Sequence, residues 1–360
     1  MTSPPPGSPM KHFVYTAWPT RVLFGGGMLE EATAELDRLG IRKALVLSTP
    51  EQARDAEALA TRLGHLAAGV FSGAAMHTPV EVTRQAMEIV DSTGADGVVS
   101  LGGGSTIGLG KAIALRSDLP QLAIPTTYAG SEMTPIIGQT EAGRKTTQTS
   151  AHVLPETVIY DPELTYSLPS FIAGPSAMNA IAHAVEALYA ENRNPITSMM
   201  AETAIGSIGR AIDGLMSDDL DRVARAEAQY GAWLAATCLA SVGMAIHHKI
   251  CHTLGGTFDL NHGAIHCLMI PYSTAYNRDH APDAMARIER ALGGEDAARS
   301  LFRLMRKTAP NTSLKEFGLA PADLDRAADL AVQNPYYNPR PVTRESVRDM
   351  LEKAYDGTEP

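Results

Sequence analysis

Between Arg21 and about Asp161 the chain alternates short aliphatic runs with amphipathic stretches, a pattern that an α/β unit satisfies. Lys43–Leu47, Ala67–Phe71, Gly97–Leu101 and Gln121–Ile124 are too short for helices and adjoin turn signals, so they read as buried strands. Leu29–Leu39, Glu51–Leu63 and Pro79–Ser92 lie between them with helical spacing. Such a repeat predicts a parallel sheet covered on both faces, with ligands beyond the carboxyl ends of its strands.

After Asp161-Pro162 and Pro169 the pattern changes to successive Ala/Leu/Met-rich helices: Ala173–Ala190, Pro195–Met216, Asp221–Cys238 and Ala245–Leu254. The expected organisation is an α/β domain over residues 12–165, then an all-helical domain over 166–360, with a small-molecule site in the cleft between them. Residues 1–11 hold four prolines and neither a basic nor an apolar block. They read as a disordered leader rather than a secretory signal, with Met10 a candidate start. No apolar run reaches the roughly 18–20 residues that cross a bilayer. With 30 Lys+Arg against 40 Asp+Glu, the net charge of -10 argues against a general nucleic-acid binder. Three cysteines in 360 residues form no secreted disulfide framework, so a cytoplasmic protein is expected.

Gly97-Val-Val-Ser-Leu101 runs into Gly102-Gly103-Gly104-Ser105, which opens a helical Ile107–Leu115. Glycines between a strand and a helix put backbone N–H groups and a positive helix end at one spot, which suits a phosphate. The bland alternative is a tight structural turn. Thr126, Thr127 and Ser131 follow the next strand at the same sheet edge, and Gly25-Gly26-Gly27 follows the first, which favours a dinucleotide. The second strand ends Leu47-Ser-Thr-Pro50 with no carboxylate to repel a 2′-phosphate, so NADPH is expected to be accepted along with NADH.

Eleven histidines are present, five of them between His247 and His266. Asn179 and His183 stand four apart on one predicted helix, His248 and His252 four apart on another, and His262 follows in Asn261-His-Gly263. Two i,i+4 pairs and a fourth histidine have the spacing of a divalent-metal site. His247 and His266 read as ordinary helix or surface residues, outside the site.

From about residue 12 onward the chain resembles the iron-containing alcohol dehydrogenase superfamily. The matching stretches are Gly102-Gly-Gly-Ser105, Pro125-Thr-Thr127 with Gly130-Ser131-Glu132, Asp161-Pro162, Asn179-x3-His183 and His248-x3-His252-x9-His262-Gly263. The resemblance implies a dehydroquinate synthase-like fold and a homodimer. It also implies metal-ligand positions at Asn179, His183, His248 and His262, with His252 reaching toward nicotinamide and substrate. Two departures stand out. Asn179 replaces the ligand aspartate, and the aspartate usual after the glycine turn in metal-dependent members is absent from Gly104-Ser-Thr-Ile-Gly108-Leu-Gly110-Lys111. Together with His77-x-Pro79 and Asn334-Pro-Tyr-Tyr-Asn-Pro-Arg-Pro341, they resemble the branch that reduces maleylacetate with NADH or NADPH without a required metal.

That branch implies a dicarboxylate substrate, 3-oxoadipate as product and a place in aromatic-compound degradation. Hydride addition beside a conjugated ketone needs a donor for the developing oxyanion and a proton for carbon. The expectation is that His183, His248, His252 and His262 supply donors or partial positive charge, His252 acting as donor or general acid. Removing the carboxylate at Asn179 suits a dianion as much as it disfavours a metal. Arg340 is the candidate carboxylate clamp, against a surface arginine; His77 and Tyr336 are further substrate candidates. Two other readings remain: a metal-dependent alcohol or polyol dehydrogenase, and a lyase of the dehydroquinate synthase type.

Overall fold

A computed structural model describes residues 12–217 and 219–360; the expected leader and the Met10 start lie outside the described residues. The chain divides into two compact units, Trp18–Leu168 and Pro169–Pro360 with residues 12–17. The division falls at Leu168/Pro169, just beyond the 165/166 read from the sequence. Residues 166–168 stay with the first unit: the Tyr166 N–H donates to the Glu163 carbonyl at 3.1 Å and the Leu168 N–H to the Thr165 carbonyl at 3.0 Å.

The first unit runs β1 (Arg21–Phe24), α1 (Ala32–Leu39), β2 (Ala44–Leu47), α2 (Ala53–Leu63), β3 (Ala67–Phe71), α3 (Val80–Thr93), β4 (Gly97–Gly102), α4 (Gly104–Ser117), β5 (Gln121–Pro125), β6 (Ile136–Glu141), β7 (Arg144–Thr149) and β8 (Thr157–Tyr160). Six strands form one sheet in the order β1-β8-β5-β4-β2-β3, every pair parallel. Period-two alternation sorts β2 between the faces. Ala44 and Val46 pack with Leu36, Ala56 and Leu59 of α1 and α2, while Leu45 and Leu47 pack with Ala86, Val90, Leu109 and Ile113 of α3 and α4. β8 inserts between β1 and β5 although it is last in sequence. β6 and β7 form a separate antiparallel hairpin.

The second unit is helical: α5 (Ser170–Tyr189), α6 (Pro195–Leu215), α7 (Arg222–Ser241), α8 (Ile246–Phe258), α9 (His262–Asn277), α10 (Pro282–Ala291), α11 (Ala297–Thr308), α12 (Pro321–Ala331) and α13 (Arg344–Asp356). An α/β unit with a parallel sheet is thus followed by an all-α unit. From Ala173 onward nearly every residue of α5 is buried, and α6, α7, α9 and α11 pack around it. A helix apolar on all sides belongs at the centre of a bundle. The polar groups on α5 therefore have to find partners inside. Among the described residues, no single helix is long and apolar enough to cross a membrane.

Candidate active site

Because the strands are parallel, β1, β4 and β5 all end on one edge of the sheet. β4 closes with Gly102 (φ 155), and Gly103 caps α4 in an extended conformation. A Cβ on Gly102 would lie 2.4 Å from Thr106 Oγ1, and one on Gly103 would lie 2.9 Å from Thr127 Cγ2. The protein's own packing therefore requires these two glycines, a different reason from the close approach of a ligand. Gly104 is exposed and Ser105 half-buried, so the start of α4 is open. Its first N–H groups have no acceptor within the helix, and the end suits a pyrophosphate.

Thr126 joins this turn to the next. Its N–H donates to the Gly102 carbonyl at 3.1 Å, and its hydroxyl accepts from Gln52 Nε2 at 3.0 Å. Thr127 and Ser131 are half-buried beside it, Ser131 opening a 3-10 turn after Gly130 (φ 86). The Gly25–Gly27 turn is different. The Asp161 carboxylate accepts from the Gly27 N–H at 3.2 Å and the Leu29 N–H at 3.0 Å, so donors expected for a phosphate already face an anion.

His77 (φ 64) and Thr78 (φ 47) form a left-handed turn after β3, and a β-branched residue there is strained. A Cβ on Gly108 would lie 2.4 Å from Thr78 Oγ1. Thr78 thus occupies the space that any side chain at 108 would need, and the glycine and the turn are one feature.

In the helical unit, Asn179, His183 and Glu186 recur at i, i+4 and i+7 on one face of the buried α5, all at most 3% exposed. Glu186 accepts at its carboxylate from the backbone N–H groups of Ala245 (2.9 Å) and His247 (2.7 Å), which starts α8. It also holds His248 Nδ1 at 2.6 Å. The His248 ring stacks on His183 with centroids 5.1 Å apart. One turn on, His252 is exposed, with Nδ1 3.4 Å from the Tyr336 hydroxyl and its ring 6.3 Å from that of His262.

His266 and His247 were not expected here, yet both are fully buried. The His266 ring lies 4.2 Å from His262 and 4.9 Å from His248, among the histidines rather than outside them. Its Nδ1 meets His247 Nε2 at 3.0 Å, and His247 Nδ1 meets Ser273 Oγ at 3.0 Å. The Ser273 hydroxyl lies 3.1 Å from the Met269 and Ile270 carbonyls of its own helix and donates there, so its lone pairs accept from His247 Nδ1–H. His247 Nε2 then accepts from His266 Nδ1–H, which leaves His266 Nε2 bare. Signals for these residues were present: His266 is i+4 from His262, and Glu186 is i+3 from His183.

Asn179 Oδ1, His183 Nδ1, His248 Nε2 and His266 Nε2 are buried without a hydrogen-bond partner. Buried polar atoms are rarely left so, and these four lie on Asn179 and three of the clustered histidines. Burial holds His183, His247 and His266 well below the usual imidazole range, with neighbouring histidine charge adding to the effect. At neutral pH these three rings are uncharged. The expectation that His183 contributes positive charge is therefore corrected.

Arg340 is also corrected. Its guanidinium lies 4.3 Å from the Tyr276 ring centroid and donates to the Tyr276 carbonyl at 3.3 Å. Tyr276 is fourteen residues along α9 from His262, about 21 Å at the helical rise. Arg340 anchors the Asn334–Pro341 loop to the far end of α9 and is not a clamp at the histidines. Tyr336, from the same loop, does reach His252. His77 belongs to the first unit.

The open start of α4, with Ser105, Thr127 and Ser131 around it, fits a dinucleotide. Toward a divalent cation the histidine set offers neutral donors. Asn179 offers only an amide oxygen, and the Glu186 carboxylate is taken up by His248 and the α8 backbone, so a cation at these positions would meet neutral donors.

Two family models match the chain: "Iron-containing alcohol dehydrogenase" over residues 19–162 and "Fe-containing alcohol dehydrogenase family, C-terminal" over residues 174–355. The maleylacetate reductase of Rhizobium sp. (strain MTP-10005) is 53% identical, over 98% of this chain and all of that protein. The maleylacetate reductase of Burkholderia cepacia is 52% identical over the same shares. Among solved structures, the maleylacetate reductase from Agrobacterium tumefaciens superposes with a TM-score of 0.94 at 52% identity, covering 98% of this chain and 100% of that one. A sulfoacetaldehyde reductase from Bifidobacterium kashiwanohense in complex with NAD+ shares the fold with a TM-score of 0.88 at 22% identity, over 96% of this chain and 99% of that one.

Proposed function

Because the chain belongs to the iron-containing alcohol dehydrogenase family and is an oxidoreductase, we propose that it reduces the C=C bond of maleylacetate to 3-oxoadipate with NADH or NADPH, without a required metal. Asn179 carries this reading. A neutral amide, set beside His183 on the wall of the histidine cluster, replaces the one anion that a cation would need and a dianionic substrate would oppose. Relatives named for this activity, matched over their whole length, support it. The end of β2, Ser48-Thr-Pro50, carries hydroxyls instead of a carboxylate, which supports use of both nucleotides.

When bound, NAD(P)H supplies a hydride to the alkene carbon β to the ketone. The chain's own residues must then meet negative charge on the ketone oxygen and deliver a proton to the adjacent carbon. His252, accessible on α8 and oriented by the Tyr336 hydroxyl, is the donor. His248, held at Nδ1 by Glu186, orients the carboxylate or the enolate. His262 faces His252 and completes that surface. His183 and Asn179 line it as neutral polar groups.

NADH oxidation with maleylacetate, run beside a panel of short alcohols and aldehydes, tests the proposal; turnover confined to the panel would overturn it. A second reading, a metal-dependent alcohol dehydrogenase, draws support from Glu186 and His248, since a carboxylate on the far nitrogen is how metal-binding histidines are held. Complete loss of turnover on chelation, restored by one divalent metal, would favour it. A cytoplasmic homodimer acting in aromatic-compound degradation belongs to the same proposal, and sedimentation of the purified protein tests the dimer.

A further inference from the structure

Two turns beyond Gly104, Lys111 is wholly buried in α4. Its ammonium reaches the Ser131 carbonyl, the Thr134 carbonyl (2.7 Å) and hydroxyl (2.9 Å), and the Ile136 carbonyl (2.9 Å). All four acceptors lie in the stretch that follows β5. An ammonium has three protons and no lone pair, so it can only gather acceptors. In the same stretch Glu132, fully buried, accepts from the Tyr160 hydroxyl of β8 at 2.7 Å. Burial pulls the Lys111 ammonium down to about 7, and the Glu132 charge opposes that fall.

A buried ammonium is costly beside an apolar side chain of equal volume, so it is poorly explained as filling. Its position offers an account. α4 opens with the glycine turn, and the stretch that Lys111 gathers begins at Ser131, one of the hydroxyls of the second turn. Thr126 already ties these turns at their base through the Gly102 carbonyl. Lys111 ties them a second time, about 10 Å further along α4 at the helical rise.

We propose that Lys111 is a positioning residue for the dinucleotide, holding the Ser131–Ile136 stretch against α4 so that Ser131, Thr127 and the open helix end keep one fixed spacing. This rests on the reading of that edge as the NAD(P)H site. The lysine touches no part of the ligand; it acts through Ser131 and the backbone around it.

The test compares wild-type protein with Lys111→Met by nucleotide-fluorescence titration with NADH and NADPH and by steady-state kinetics with maleylacetate. The expected result is a rise of roughly tenfold in nucleotide Kd and KM. At saturating nucleotide kcat should stay within about threefold, and KM for maleylacetate should be unchanged. A folded Lys111→Met with wild-type nucleotide Kd would overturn the proposal, as would a loss confined to kcat. If Lys111→Met does not fold, Thr134→Val removes one acceptor and keeps the lysine. A rise of about threefold in nucleotide Kd then supports the proposal and an unchanged Kd overturns it. A wild-type protein that binds neither nucleotide would overturn the underlying reading of the edge instead.

Discussion

Glu186 Oε2 lies 2.6 Å from His248 Nδ1 with both side chains sealed from solvent, and the same carboxylate receives the first backbone N–H groups of α8. One acid on the central helix therefore starts the helix that carries His248 and His252, and fixes the face that His248 presents. With Nδ1 held as donor, Nε2 is the atom left for a ligand. The orientation of the reactive surface is built into the packing of α5 against α8.

Glu186→Gln should separate charge from shape. The amide keeps the volume and one acceptor oxygen but removes the anion, and its NH2 group meets donors at the start of α8. Activity should fall roughly 10–100-fold, as when a carboxylate behind a site histidine is lost. Melting should also shift downward, because a buried donor is left unpaired. Steady-state kinetics and a melting curve on the same preparation check both; wild-type kcat would show that the charge is not needed.

Asn179→Asp restores the anion whose loss carries the proposed function. Zn²⁺ or Fe²⁺ affinity should rise by about tenfold or more, and KM for maleylacetate should rise by a similar factor, since a buried negative charge opposes a dianion. Calorimetric metal titration and initial rates read the two effects independently. If neither moves, the electrostatic account of Asn179 is wrong.

His252→Ala should lower kcat by roughly 10²–10⁴ with little change in melting temperature, because the side chain is exposed and its contact with the Tyr336 hydroxyl is long. Tyr336→Phe removes only the hydroxyl that meets His252 Nδ1 at 3.4 Å, a long contact. Its loss should cost less, about tenfold or below in kcat. A larger effect from Tyr336→Phe than from His252→Ala would reverse the two roles.

Patterned apolar residues made β2, β3, β4 and β5 legible in the sequence, along with most helix bounds, because burial imposes period two or 3.6 on whoever faces the core. β7, Arg-Lys-Thr-Thr-Gln-Thr, has no apolar face, and its pairing with β6 comes from backbone bonds that leave no such mark. β8 is four residues long and adjoins Asp161-Pro162, so the turn signal hid the strand. In the site, i,i+4 spacing found Asn179, His183, His248 and His252. His266 was set aside although its spacing from His262 is the same, because only tertiary packing shows that its ring is inside the cluster. Arg340 erred the other way: its chemistry suited a carboxylate, but Tyr276 had already claimed it.

The buried histidines also set how stability depends on pH. Burial pushes His183, His247 and His266 well below 6.5 in the folded chain, while the unfolded chain titrates them near 6.5. Below 6.5 the unfolded state therefore binds protons that the folded state refuses, and folding loses free energy as pH falls. Their contribution is fully present above about 6.5 and declines progressively toward the folded values. Glu132, raised by burial, has the opposite slope at lower pH, so a single curve mixes the two. His247→Gln removes one refused proton and can still bond to Ser273 and His266. Lys111, brought down to about 7, adds a fall from pH 8 to 7 that both proteins share; between 6.5 and 5 melting temperature should fall further, and that further fall should be shallower in His247→Gln than in wild type. Parallel curves for the two proteins would mean that His247 accepts a proton without cost, contrary to its burial.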